Sequence, residues 1–197
     1  MPAYSEVAIA NMALGWLGAN LITSLQDDST EAKLMDANFF AIRDAVLEEV
    51  DWRFATARYS LVLSAEKPEF EYANKFLIKE NVLKVITVNE NKYDWQREGE
   101  YILSDEAVCN IRCIVRIVSP ALFTPLFVQA LAARLAADLA MPLTQNRTLQ
   151  GDMYALYKVK LTEAKSSDGQ QGKSRKLRMR KLIQARSTSG SFFGPTV

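Results

Sequence analysis

The chain contains no histidine. That absence removes the commonest general base, so neither a Ser-His-Asp nor a Cys-His nucleophile can be assembled. It also removes the commonest metal ligand. Two cysteines, Cys109 and Cys113, are the whole thiol supply, so a zinc site would lack a third ordinary ligand. The eight glycines are scattered and form no phosphate-cradling loop. Long apolar runs are missing too. The richest stretch, Leu126 to Met141, is interrupted by Gln129, Arg134 and Asp138, so no membrane helix is expected. Met1 to Gly18 lacks a basic opening segment and alternates apolar with polar residues, unlike a secretory signal. A soluble, non-secreted chain without catalytic, cofactor or metal residues is the expectation.

What is present is an ordinary globular composition. The 197 residues are 49% hydrophobic and 24% charged, enough for one domain, or one domain carrying an insertion. The net charge of +1 hides an asymmetry. Residues 169–197 carry seven of the 24 basic residues and none of the 23 acidic ones, which leaves 17 against 23, a net of −6, on residues 1–168. An acidic body with a basic tail marks an interaction arm. Of the adjacent acids, Asp27-Asp28 falls at a helix start, where a carboxylate is stabilised by the helix dipole and by capping. Glu48-Glu49 falls within a helix, where neighbours diverge by about 100° and cannot share a substrate.

Periodicity divides the chain. Residues 5–18 read as a helix with Ser5 as N-cap and Gly18 beyond its C-terminus. Asp28 followed by Glu31 reads as a capping box opening a second helix. Its apolar stripe is Met35, Phe39, Ile42 and Val46, and it runs to about Val50. The runs Tyr59–Leu63, Val82–Val88, Tyr101–Leu103 and Ile111–Val118 are β-branched and aromatic, with turn-like stretches at 66–69 and 89–92 between them. Cys109 and Cys113 share one strand face as buried free thiols. Trp52 and Phe54, at the handover to the sheet, read as core anchors. Thr124 and Pro125 open a third helix, whose alanines permit close approach, to about Ala140 before Pro142 stops it. Thr144 starts a fourth, about 145–166, with Leu149, Met153, Leu156 and Leu161 facing inward. The sequence from Ser166 is polar and reads as flexible.

The expected fold class is therefore α+β. Residues 1–58 and 119–168 form a four-helix body, residues 59–118 a small antiparallel β-sheet inserted between helices 2 and 3, and residues 169–197 an extended C-terminal tail. That basic arm ends in apolar residues, which favours docking on a partner over free solvation. Arg175, Lys176, Arg178, Arg180 and Lys181 are its candidate ion-pairing residues, and Phe192 and Phe193 its candidate anchors.

These elements in this order resemble the tail tubular protein A family, the adaptor or gatekeeper of short-tailed bacteriophages. The resemblance is carried by Asn11, Leu14-Gly15, Leu17-Gly18, Ile22, Ser24-Leu25, Asp27, Ser29, Ala32, Arg43, Leu47, Trp52, Phe54-Ala55 and Arg58. After the sheet it continues with Glu98-Gly99, Ser119-Pro120, Leu135-Ala136, Leu139-Ala140, Pro142-Leu143-Thr144, Tyr157 and Ala164. It covers residues 5 to about 168. It departs at Ile78-Lys79, where the family often has Leu-Pro, and in the tail.

The resemblance implies a virion protein, assembled in the host cytoplasm and placed at the head-tail junction. It would form a homo-oligomeric ring, expected to be twelve-fold, beneath the portal protein, with the tail nozzle protein on its other face. Genomic DNA would pass through the lumen without sequence recognition, and a C-terminal arm would reach the portal. No membrane contact is implied. One rival is a nucleic-acid-binding module using the basic tail. Such a module should also carry basic residues on its body, against the −6 found. Another minor tail or head-completion protein is the second rival.

Overall fold

The computed structural model describes residues 4–171. Helices α1 (Glu6–Leu17) and α2 (Thr30–Glu49) precede six strands, and α3 (Pro125–Thr144) and α4 (Arg147–Gln170) follow them. The strands are β1 (Thr56–Leu63), β2 (Asn74–Leu77), β3 (Val82–Val88), β4 (Trp95–Glu98), β5 (Tyr101–Ser104) and β6 (Cys109–Val115). The fold is α+β, with an antiparallel sheet between the second and third helices.

Local chemistry sets the helix ends. Ser5 Oγ accepts from the Ala8 amide at 3.1 Å, and Gly18 adopts φ 68° so that its amide reaches the carbonyls of Leu14 and Gly15. The cap of α2 is Ser29, not Asp28: its hydroxyl accepts from the Ala32 amide at 3.2 Å. Asp28 instead pairs with Lys33, and Glu31 accepts from Asn20 Nδ2 at 2.9 Å. Ser29 wins because a capping oxygen must reach the amide three residues on, which Asp28 is one position too early to do.

Helix α3 opens on Thr124 and Pro125 as expected but runs through Pro142 to Thr144. A proline in the last turn removes a single intrahelical bond. The end is closed by Gln145 at φ 54°, whose amide donates to Met141 O at 3.0 Å. The N-cap of α4 is then Asn146 rather than Thr144, with Oδ1 accepting from the Leu149 amide at 3.1 Å. That helix also outruns the expected end at 166, continuing through Ser166, Ser167, Asp168 and Gly169. The boundary of the arm at residue 169 is corrected accordingly, since residues 169 and 170 belong to α4.

The main core is built around α3, whose alanines let α1, α2 and α4 approach closely. By length and composition α3 could cross a membrane, yet most of its apolar surface is buried in this core. The stripe Met35, Phe39, Ile42 and Val46 faces inward. From α4, Leu149, Met153, Leu156 and Leu161 pack half-buried against the core, while Tyr157 and Ala164 are buried. Trp52 and Phe54 are core anchors, as read. The Trp52 ring meets Phe127 edge-on at 5.2 Å, and its Nε1–H donates to Val46 O at 2.9 Å.

The sheet has the order β3-β6-β1-β2-β5-β4 and occupies residues 56–115 rather than 59–118. β1 begins at Thr56, β5 gains Ser104, and β6 runs from Cys109 to Val115 instead of from Ile111 to Val118. β2 and β4 were not anticipated. Each has four residues, several of them polar, and each is held by pairing with β5. β1 turns the sheet: Thr56–Leu61 pair with β6, and Val62 and Leu63 with β2. The edge strands come close enough for Arg97 Nη1 on β4 to donate to Leu83 O on β3 at 3.0 Å. The sheet thus curls around a second core containing Leu61, Phe76, Ile102, Ile111 and both cysteines, which are buried free thiols.

Candidate functional site

The arm residues Arg175, Lys176, Arg178, Arg180, Lys181, Phe192 and Phe193 lie outside the described residues. Geometry therefore bears on the body alone. Most residues that carry the family resemblance serve the fold. The Asn11 amide exchanges two 2.8 Å hydrogen bonds with the Ile22 backbone. Asp27 accepts from the amides of Thr23 and Ser24, which lowers its pKa. Buried Arg43 pairs with Asp44 at 2.7 Å. Asp44 also accepts from Arg116 Nε at 2.7 Å, clamping α2 to the chain leaving β6.

The adjacent acids have structural partners too. Glu49 accepts the hydroxyl hydrogen bond of Tyr157, joining α2 to α4. Burial first, then Glu49, pushes the Tyr157 phenol well above its usual pKa. The thiols of Cys109 and Cys113 are pushed up to about 11 by burial, the opposite of an activated nucleophile. No group of three or more Cys, Asp or Glu side chains able to hold a metal ion occurs among the described residues.

Two outward surfaces of the sheet remain. On β1, β2 and β5, Val62 stands opposite Leu77, and Leu77 opposite Tyr101. Partners in register share a face, so these three make one apolar row. Val62 is 75% exposed and Leu77 48%. Phe70, in the loop between β1 and β2, is 77% exposed. On β1, β6 and β3, the outward rows run away from the helical body. Ile114 lies in the main core opposite Thr56, and the next row is Arg58, Arg112 and Thr87. Beyond it come Ser60 and Asn110. These rows line an open cleft together with Asp51, Arg53, Asn89, Lys92, Tyr93 and Gln171. Neither surface was anticipated, because strand pairing decides which residues share a row.

No protein-family model matches the chain, and no curated protein matches it.

Proposed function

We propose that the protein is a structural virion component: the head-to-tail adaptor of a short-tailed bacteriophage, forming a ring between the portal protein and the tail nozzle protein. The reading rests on the resemblance across residues 5 to about 168. The structural observation that best supports it is the outward row Val62–Leu77–Tyr101 with exposed Phe70. A lone subunit gains nothing by presenting such a surface to water, whereas a lateral assembly unit covers it. The junction that ties the sheet to the helical body through Asp44, Arg43 and Arg116 suits a unit that must present both parts in fixed relation. The basic arm, with Phe192 and Phe193 as anchors, would dock on the portal, and the lumen would conduct DNA without reading it.

The test is to mix the purified full chain with its portal protein and to size and image the product by electron microscopy. A ring of this protein seated on the portal is expected. Phe192→Ala combined with Phe193→Ala should weaken docking in low and high salt alike. Neutralising Arg175, Lys176, Arg178, Arg180 and Lys181 should slow association chiefly at low salt. A full-length chain that stays separate from the portal across these conditions overturns the reading.

A further inference from the structure

We propose that the cleft beside β1, β6 and β3 is a binding site for a phosphate group, held between Arg58 and Arg112. The two residues are directly opposite in register, on the outward face of antiparallel neighbours. Like charges so placed repel and weaken the sheet unless an anion lies between them. Among the described residues no acid forms an ion pair with either. Neither guanidinium enters any ion pair or hydrogen bond among the described residues. Arg112 is half-buried, and its Nε–H is shielded from solvent with no hydrogen-bond partner. Leaving a charged donor in that state is costly.

The acids near the cleft are engaged elsewhere or stand apart. Asp51 pairs with Lys84 at 2.9 Å and Glu90 lies 4.0 Å from Lys92. Glu106 lines the cleft without an ion pair to either arginine. The two arginines thus bring together two positive charges that no described acid pairs with, which a phosphate dianion balances and a single carboxylate does not. Donors beyond the arginines suit the same ligand. The Thr87 hydroxyl shares their row, and Ser60 and Asn110 occupy the next one. Two planar forks with flanking hydroxyls match the tetrahedral oxygens of phosphate. The cleft measures about 1400 Å³, more than inorganic phosphate fills, so the terminal phosphate of a small ester also fits. The inference is independent of the adaptor reading.

The experiment is calorimetric titration of the full chain, in chloride buffer of fixed ionic strength, with inorganic phosphate and separately with glycerol 3-phosphate. Melting curves are recorded alongside. Saturable binding of one phosphate group per chain, with a raised melting temperature, is expected. Arg58→Gln and Arg112→Gln should each weaken binding about tenfold or more. Arg58→Gln should melt no lower than the parent without phosphate, since it relieves the repulsion and its side chain is exposed. That variant keeps the test decisive if Arg112→Gln folds poorly. Tighter binding of glycerol 3-phosphate than of phosphate identifies an ester as the ligand, and the reverse identifies the free ion. Absence of saturable binding of both, or undiminished binding by Arg58→Gln, overturns the site. So does uptake of duplex DNA in the cleft with no response to either small anion.

Discussion

Asp168 accepts a hydrogen bond from the backbone amide of Arg53 at 2.8 Å, across 115 positions of sequence. The Arg53 guanidinium returns the contact, with Nη2 donating to Gly169 O at 3.1 Å. Asp168 is only 5% exposed. The pair fastens the end of α4 to the turn where α2 hands over to the sheet, so the last helical turn holds the two parts together.

Removing that carboxylate leaves the Arg53 amide unpaired. Asp168→Ala should cost about 1–3 kcal/mol in urea unfolding, and the melting temperature should fall by about 2–4 °C per kcal/mol. Asp168→Asn retains an acceptor oxygen and should cost less. Equal stability of Asp168→Ala and the parent would show that the contact carries no weight.

Tyr157 predicts a pH dependence. Its phenol is held protonated in the fold by burial and by Glu49. The folded state therefore binds this proton more tightly than the unfolded state, whose phenol titrates near about 10. The contribution is complete below that pH and is lost as pH rises above it, because the unfolded chain then releases the proton first. Tyr157→Phe should lose about 1 kcal/mol at neutral pH and should lose less further stability than the parent above pH of about 10. Denaturant midpoints at neutral and alkaline pH, compared between the two proteins, supply the check.

The two thiols should be inert in the folded protein. Their pKa of about 11 leaves little thiolate at pH 8, and burial blocks reagents. Labelling should proceed only in denaturant. Four residues apart on one strand, their Cα atoms are separated by roughly 13 Å, beyond disulfide reach, so oxidants should not join them within the folded chain. Rapid native labelling would mean that β6 opens readily.

At the helix–sheet junction, Trp52→Ala should cost about 3–5 kcal/mol by emptying the space against Phe127. Trp52→Phe keeps a ring against Phe127 and should cost less, with the loss of the donor to Val46 O as its main penalty. Equilibrium unfolding monitored by circular dichroism distinguishes the two.

Sequence by itself determined the helices and their order. Ser5, Gly18, Thr124 and Pro125 act within one or two turns of themselves, and the stripe Met35–Phe39–Ile42–Val46 has a period only a helix satisfies. It also determined that both thiols share a strand face, because alternation along β6 needs no partner. Tertiary structure decided the rest. β2 and β4 are short and carry several polar residues, and they become strands only by pairing with neighbours, β2 with β1 and β5 and β4 with β5. The polar end of α4 is helical because Arg53, distant in sequence, presents an amide to Asp168. The opposition of Arg58 and Arg112 follows from the register of β1 on β6, as the row Val62–Leu77–Tyr101 follows from β1 on β2 on β5. Caps and periodicity are short-range effects written in consecutive residues. Register is a long-range relation, chosen by which pairing buries both cores at once.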